Sequence, residues 1–258
     1  MGRDWLILAT SGLISGLLAG LLGIGGGTVL VPLLVSLGYP PVQAVATSSL
    51  AILVTSISGS IQNWRMGYFN WKRVGLLGFP AVVTSQIGVY VASQILPYIL
   101  LLAFGILLLI NIYLVNLRQQ LITQQNSVET QFNPFLARLI TGGAAGILAG
   151  LFGVGGGVIM VPLQMLLLKE EIKVAIQTSL GVIVITAVSA TMGHTVAGNV
   201  LFTTGLLLGC GGLLGVQIST RILPKLPDRI VSFIFRLFLG VLSIYVFWQA
   251  WQNYSITH

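Results

Sequence analysis

Charged side chains are scarce in this sequence. Asp, Glu, Lys and Arg together make up 7% of its 258 residues, whereas about a quarter is usual in a soluble domain. Hydrophobic residues make up 55%, and the mean hydropathy is +0.98. This composition excludes an ordinary soluble domain and predicts an all-α polytopic membrane protein.

Acidic residues are the scarcest charged type. None lies inside an apolar run, so proton coupling through Asp or Glu is not expected. A membrane enzyme needs converging His, Asp, Glu or Cys groups, and the apolar runs lack such a set, so we predict that the protein is not an enzyme. The five acidic residues are Asp4, Glu129, Glu170, Glu171 and Asp228.

Cysteine is nearly absent as well. The single Cys210 excludes an internal disulfide and a multi-cysteine metal site, and we expect no cofactor and no metal. The net charge of +7 does not indicate nucleic acid, because most basic residues flank apolar segments, where they set orientation and contact anionic headgroups. The expected partners are a lipid bilayer and a small anionic substrate, with the oligomeric state left open.

Glycine, in contrast, is abundant and forms part of a repeat. The stretches "GLLGIGGGTVLVP" (20–32) and "GLFGVGGGVIMVP" (150–162) agree at eight of thirteen positions with an offset of 130 residues. The same offset aligns residues 48–50 with residues 178–180, and Trp64 with His194. Such self-similarity indicates a duplication. We predict a first transmembrane repeat at 1–116, a polar linker at 117–134 and a second repeat at 135–258.

Each half contains five apolar segments, of which the second is short. Segments 27–37 and 157–168 reach under ~20 Å at ~1.5 Å per residue, less than the ~30 Å hydrocarbon core. We expect each half to form a Gly-rich broken, re-entrant helix hairpin followed by about three full spans. The other segments are 5–22, 42–61, 74–96, 98–115, 135–152, 174–192, 202–223 and 230–248.

Lys and Arg are distributed unevenly over the connections between segments. If the first two segments of each half form a hairpin or two spans, ten basic residues fall on one side and only Arg3 falls on the other. The positive-inside rule then places both termini outside and makes the halves an inverted repeat. The ten residues are Arg65, Lys72, Arg73, Arg118, Arg138, Lys169, Lys173, Arg221, Lys225 and Arg229.

The triple glycines are the strongest candidates for a binding site. Because they open the two short segments, free N–H groups and the positive ends of two helix dipoles are expected to face each other near the midplane. That arrangement favours an anion. Close helix packing is the alternative role of glycine, and we expect it for the glycines at 12, 16 and 20 and at 142, 146 and 150.

Polar residues inside apolar segments are the other candidates. The Ser/Thr clusters are potential donors to a ligand, although such hydroxyls also bond back to their own helices. Asn63, Gln86, Asn199 and Gln217 are gate candidates or helix-packing amides. His194 is either a proton relay or a side chain that is interfacial or hydrogen-bonded to backbone. The predicted substrate-binding residues are Gly25, Gly26, Gly27, Thr28, Thr47, Ser48, Ser49, Asn63, Gly155, Gly156, Gly157, Gln177, Thr178, Ser179 and His194.

These motifs together resemble the TauE/SafE family of sulfite exporters, also called toluene sulfonate uptake permeases (TSUP). The resemblance rests on the doubled glycine motif, on "ATSSL" and "QTSL", and on "NWRMGYFNW" and "GHTVAGNV", and it extends over about residues 6–247. It implies a plasma-membrane transporter of small sulfur-containing anions such as sulfite or organosulfonates. It also implies seven or eight spans, which fits ten segments only if some are half-helices.

Three functional hypotheses follow from the residues. The leading one is a carrier that exports the anion without a coupling ion, because each exiting charge gains ~2.3 kcal/mol per 100 mV when the inside is negative. Sodium coupling of this carrier also stays open, since unwound backbone carbonyls bind sodium. The second hypothesis, which the residues favour least, is a membrane enzyme. The third is an anion channel, or a permease for another small anionic metabolite. Saturation and counterflow kinetics distinguish a carrier from a channel.

Overall fold

The computed structural model describes residues 4–123 and 133–257, which form helices joined by short connections. Ten α-helices and no strand form within those ranges. The helices are α1 (Asp4–Leu22), α2 (Gly27–Ser36), α3 (Pro41–Arg65), α4 (Trp71–Gln94), α5 (Pro97–Thr123), α6 (Pro134–Phe152), α7 (Gly157–Leu167), α8 (Ile172–Val196), α9 (Phe202–Ile222) and α10 (Asp228–Thr257), with a short 3₁₀ helix at Leu223–Lys225.

Eight of these helices are long and apolar enough to cross a membrane, four in each half. Helices α2 and α7, with 10 and 11 residues, reach only about 15 Å and are too short. The protein is therefore an all-α, multi-pass membrane protein, as expected. The number of spanning-length helices per half is four instead of about three, because α1 and α6 each have 19 residues.

Helices α5 and α6 end and begin at the predicted linker at 117–134, whose bounds stay a prediction. Helix α5 continues to Thr123, seven residues beyond the expected end of the first half. The next helix begins at Pro134, one residue before the expected start of the second half. Arg3 and Glu129 lie outside the described residues, so the side of the membrane predicted for Arg3 stays a prediction.

Local sequence signals explain where several helices begin and end. Proline opens α3, α5 and α6, where its missing N–H removes no helical bond. The side chain of Asn70 accepts a hydrogen bond from the N–H of Arg73 at 3.1 Å and caps α4. Gly67 and Gly198 follow α3 and α8 with φ values of 80° and 73°, the left-handed backbone that ends helices. The same chemistry thus defines equivalent helix ends in both halves.

The glycines at four-residue spacing pack helices together. A Cβ atom added to Gly12 or Gly16 would overlap the carbonyl oxygen of Leu208 or Gly212 on α9. The equivalent series on α6 lies in the same way against backbone of α4. Small residues permit this close approach of helix backbones, so the packing role predicted for these glycines is correct.

The helix contacts show a two-fold relation between the halves. Helix α1 packs on α9 as α6 packs on α4, and α3 packs on α9 as α8 packs on α4. The pairs α3 with α8 and α5 with α10 join equivalent helices across the interface. In a duplicated unit, each contact between two helices recurs between the equivalent helices of the other half, as observed here. The placement of the two-fold axis in the membrane plane, which an inverted repeat requires, stays a prediction.

The register of the repeat changes after the glycine motifs. Helices α1 and α2 match α6 and α7 at an offset of 130, whereas α3, α4 and α5 match α8, α9 and α10 at 131. Helix α7 has one more residue than α2, and this insertion shifts all later positions. The alignments of residues 48–50 with 178–180 and of Trp64 with His194 are therefore wrong. His194 is equivalent to Asn63, and their carbonyl oxygens accept the same turn bond from Asn199 and Tyr68.

Two amide–hydroxyl pairs confirm the corrected register. The side chain of Gln86 donates to Ser189 Oγ at 2.7 Å, and the side chain of Gln217 donates to Ser58 Oγ at 2.9 Å. Each glutamine also donates to the backbone oxygen of its serine. All four residues obey the offset of 131. Gln86 and Gln217 are therefore amides that link helices, one of the two roles predicted for them.

Ion pairs place three basic connections at one end of the bundle. Arg73 at the start of α4 pairs with Glu170, between α7 and α8, at 3.1 Å. Lys173 at the start of α8 pairs with Asp228, at the start of α10, also at 3.1 Å. The connections before α4, α8 and α10 therefore lie together. The count of Lys and Arg assigned these connections to a single side.

Candidate functional site at the paired glycine linkers

Two short glycine-rich linkers join α1 to α2 and α6 to α7. In the first, Gly25 and Gly26 have φ values of 74° and 80°, and Gly155 and Gly156 in the second have 73° and 75°. Residues other than glycine rarely adopt this left-handed backbone conformation. Consecutive glycines therefore allow the sharp change of direction between helices in both halves.

The chain reverses direction at the first linker. Ile7 and Leu8, near the start of α1, line one cavity together with Leu37 and Tyr39, which follow α2. Helix α2 thus returns to the end of the bundle where α1 begins. The re-entrant hairpin that the sequence predicts for these two helices stays a prediction.

The two linkers contact each other directly. A Cβ atom on Gly27 would overlap the carbonyl oxygen of Gly153, and one on Gly157 would overlap the carbonyl oxygen of Gly23. The contacts are reciprocal and join one half to the other. Glycine is needed at these positions because two backbones meet without room for a side chain.

Hydroxyl groups from α3 and α8 hold the linkers in place. Ser48 donates to the carbonyl oxygen of Gly153 at 2.9 Å, and Ser179 donates to the carbonyl oxygen of Gly23 at 2.8 Å. Ser48 and Ser179 are related by the offset of 131. Each half therefore binds the linker of the other half through an equivalent serine.

The N-termini of α2 and α7 are uncapped at this contact. Neither Gly26 nor Gly156 receives a side-chain cap. In the described parts of the chain, no hydrogen bond uses the N–H group of Gly27, Thr28 or Gly157. Free N–H groups and the helix dipoles make such ends electropositive. Two helix N-termini with free N–H groups are thus buried at the contact between the linkers.

Thr28 adds a hydroxyl to the first of these termini. Its side chain is fully buried, and Oγ1 has no hydrogen-bond partner. Val158 occupies the equivalent position of α7, so the second half lacks this group. A buried hydroxyl without a partner is uncommon and costs free energy. Thr28 is therefore a polar side chain at this contact whose hydroxyl has no hydrogen-bond partner.

Two isoleucines cover the linkers. A Cβ atom on Gly25 would lie 3.2 Å from Cγ2 of Ile52, and one on Gly155 would lie 2.8 Å from Cγ2 of Ile183. With Ala187 these isoleucines form a small, fully buried apolar cluster. The space beside the linkers is therefore occupied by side chains in this conformation.

Some side chains of the Ser/Thr clusters form hydrogen bonds within the protein, and others form none. Thr47 accepts a hydrogen bond from the N–H of Leu201 at 3.2 Å, and Ser49 donates to Val45 on its own helix at 3.0 Å. Gln177 and Thr178 are each 6% exposed. Their side chains form no hydrogen bond with the described residues. The two serines that reach the linkers, Ser48 and Ser179, are the members that contact the predicted site.

Asn63 and His194 lie far from the linker-binding serines, although His194 contacts Gly150, three residues before Gly153 of the second linker. Each is 15 residues beyond the linker-binding serine of its helix, about 22 Å along α3 or α8. Asn63 is 1% exposed, and neither its amide nitrogen nor its oxygen has a partner. His194 is fully buried; Nε2 donates to the carbonyl oxygen of Gly150 at 3.0 Å, while Nδ1 has no partner. The hydrogen bond to backbone is one of the two roles predicted for this histidine.

Two buried hydroxyls accompany Asn63 and His194 and were missed by the sequence analysis. Ser60 and Thr191 lie three residues earlier on the same helix faces, and neither hydroxyl has a partner. They too are equivalent at the offset of 131. A spacing of three residues is a helical signal, but the offset of 130 obscured the match.

No group of three or more His, Cys, Asp or Glu side chains that could hold a metal occurs in the described parts of the chain. The fold and the linker contact define a multi-pass membrane protein built from a duplicated helical unit. Residues 8–246 match the family described as sulfite exporter TauE/SafE. The chain belongs to this family, and it is a membrane transporter of the plasma membrane and not an enzyme.

Several curated proteins are similar to this chain. A Bacillus subtilis protein named "Probable membrane transporter protein YunE" is 29% identical, over 96% of this chain and 98% of its own length. A "Probable membrane transporter protein" of Methanocaldococcus jannaschii is 30% identical, over 93% of this chain and 94% of its own. "Sulfite exporter TauE/SafE family protein 1" of Arabidopsis thaliana is 31% identical over 36% of this chain and 21% of its own. No solved structure matches the chain significantly.

Proposed function

We propose that this protein exports small sulfur-containing anions, such as sulfite or organosulfonates, and binds them between the N-termini of α2 and α7. The observation that supports this is the meeting of two uncapped helix N-termini beside the unpartnered hydroxyl of Thr28. Each terminus is equivalent to about half a positive charge. An oxyanion between them would accept N–H bonds from both halves at once.

The isoleucine cluster favours a carrier over a channel. Ile52 and Ile183 fill the space beside the linkers, so a ligand enters only when these side chains or their helices move. A carrier has such an occluded conformation in its cycle, whereas an open channel needs a continuous pore. An anion channel, or a permease for another small anionic metabolite, is the alternative.

We assign the buried polar residues at the far ends of α3 and α8 to the paths that lead to the site. Ser60 and Asn63 would line one path, and Thr191 and His194 the other. Their unpartnered atoms support this assignment, because polar groups inside a membrane are retained where they meet water, a ligand or one another. Under the inverted arrangement the α3 pair faces the inside and the α8 pair the outside.

Flux measurements with purified protein in proteoliposomes test the proposal. We expect saturable sulfite or sulfonate efflux driven by an interior-negative potential, unchanged by proton or sodium gradients, and counterflow of labelled substrate. The matched controls are liposomes without protein and liposomes with the Gly156→Val variant. Absence of flux for every sulfur anion would exclude the substrate, and saturable flux of a different anion would establish the permease alternative. Flux without counterflow or saturation would establish a channel.

A further inference from the structure

Arg236 lies within a membrane-spanning helix without an acidic partner. Its Nη1 donates to Oδ1 of Asn116 on α5 at 2.8 Å, and its Nε donates to the carbonyl oxygen of Ser232 at 3.3 Å. None of the ion pairs that the described residues form includes it. A guanidinium has five N–H donors, and these two bonds leave several of them available. Arg236 is thus a cation suited to a further anionic partner.

The guanidinium lies in a groove between α5 and α10. The groove has a volume of about 580 Å³, and Arg236 and Asn116 are its polar lining residues. Its apolar lining includes Phe233, Val241 and Ile244, which are 59%, 63% and 73% exposed and therefore face lipid. A Cβ atom on Gly240 would meet nothing within 4 Å, so this glycine widens the groove.

The repeat shows that the helix pair does not require this charge. At the offset of 131, Arg236 is equivalent to Gly105 and Asn116 to Phe247. These two residues meet at the other end of the same helix pair, where a Cβ atom on Gly105 would lie 3.0 Å from the Phe247 ring. The equivalent contact is thus apolar. Since an arginine inside a membrane is costly, its presence at one end only indicates a ligand at that end.

We propose that this groove binds an anionic phospholipid, with the phosphate on Arg236 and Asn116 and an acyl chain along the apolar wall. The positive charge of Arg236 favours an anionic headgroup. The apolar wall of the groove extends about 12 Å along α10 from Arg236 to Ile244, so an acyl chain can lie against it. Basic pockets between spanning helices bind anionic headgroups in this way. The basic connection before α10 places the site in the inner leaflet under the predicted orientation.

The test compares retention of phosphatidylglycerol and phosphatidylcholine by the purified full-length protein, by native mass spectrometry after delipidation and addition of each lipid. For the unmodified protein we expect about a fivefold preference for phosphatidylglycerol, the factor that corresponds to one cation near the headgroups. Arg236→Gln should reduce it to near unity. The control Arg221→Gln, in the last turn of α9 where the side chain is exposed, should retain it.

A second variant separates lipid binding from folding. Gly240→Leu leaves the guanidinium unchanged and fills the groove, so we expect loss of bound lipid in a folded protein. An unchanged preference in Arg236→Gln or full lipid occupancy in Gly240→Leu would overturn the proposal. Covalent dimers of Val241→Cys in a Cys210→Ser background would also overturn it, since a second copy would then occupy the groove.

Discussion

Ser48 of α3 donates its hydroxyl hydrogen to the carbonyl oxygen of Gly153, 105 positions further along the chain. This bond joins the first half of the protein to the glycine linker of the second half. Ser179 makes the reciprocal bond to Gly23. The two bonds connect the helices that run through the centre of the molecule to the proposed anion site.

Loss of the Ser48 hydroxyl should destabilise the linker contact. We expect Ser48→Ala to lower the free energy of unfolding by about 1 kcal/mol or more, because the carbonyl of Gly153 loses a partner in a buried place. The matched control is Ser49→Ala, since Ser49 bonds only to Val45 of its own helix. Thermal unfolding in detergent measures both. Equal losses for the two variants would contradict the bridging role of Ser48.

Thr28→Val should raise the KM for transport without lowering the stability of the protein. Val158 at the equivalent position shows that this backbone accepts valine, and removal of an unpartnered buried hydroxyl should leave stability unchanged or raise it by about 1 kcal/mol. If Thr28 binds the anion, the KM for transport should rise about five- to tenfold, because the variant loses one hydrogen bond to the anion.

The control for Thr28 is Thr141→Val. Thr141 on α6 is also fully buried with an unpartnered hydroxyl, but it lies three turns before the second linker. We expect a similar effect on the melting temperature and no change in KM. A KM that is unaffected in Thr28→Val would remove Thr28 from the site.

Gly26→Ala should cost more stability than Gly38→Ala. Both glycines have positive φ, 80° and 88°, so both substitutions incur the same backbone penalty of about 1–2 kcal/mol. At Gly26 the new Cβ also overlaps Ser15, whereas nothing lies within 4 Å at Gly38. We expect an additional loss of about 1–3 kcal/mol from this overlap. Denaturation of the two purified variants measures it, and equal losses would show that the linker is loosely packed.

Single cysteines should reveal the orientation of the halves. Met66 and Ala197 follow α3 and α8 directly and are equivalent. In a Cys210→Ser background we expect Met66→Cys to react with an impermeant maleimide only from the inside and Ala197→Cys only from the outside, because an inverted repeat exchanges the faces. Labelling of both from one side would exclude the inverted arrangement.

The sequence predicted the features that depend on local chemistry. Gly27 and Gly157 begin their short helices as expected, because consecutive glycines interrupt any apolar run. The glycines that pack helices together were predicted, but the partner helix of each apolar segment was not predictable from a chain that is apolar on nearly every face. The pairing of Gly27 with Gly153 and the hydrogen bond from Arg236 to Asn116 depend on tertiary packing, and the one-residue insertion in α7 displaced Asn63 from its true counterpart, His194.

The proposed site is not symmetric, although the fold around it nearly is. Ser15 donates to the carbonyl oxygen of Gly26, but Ala145 stands at the equivalent position, as Val158 does opposite Thr28. In a carrier built from two identical inverted halves, the inward-open and outward-open states would mirror each other and have equal energies. Two hydroxyls present beside the first linker and absent beside the second would remove that equality. Under the proposed inverted arrangement, the resting carrier would therefore favour one of its two states before any gradient or substrate is applied.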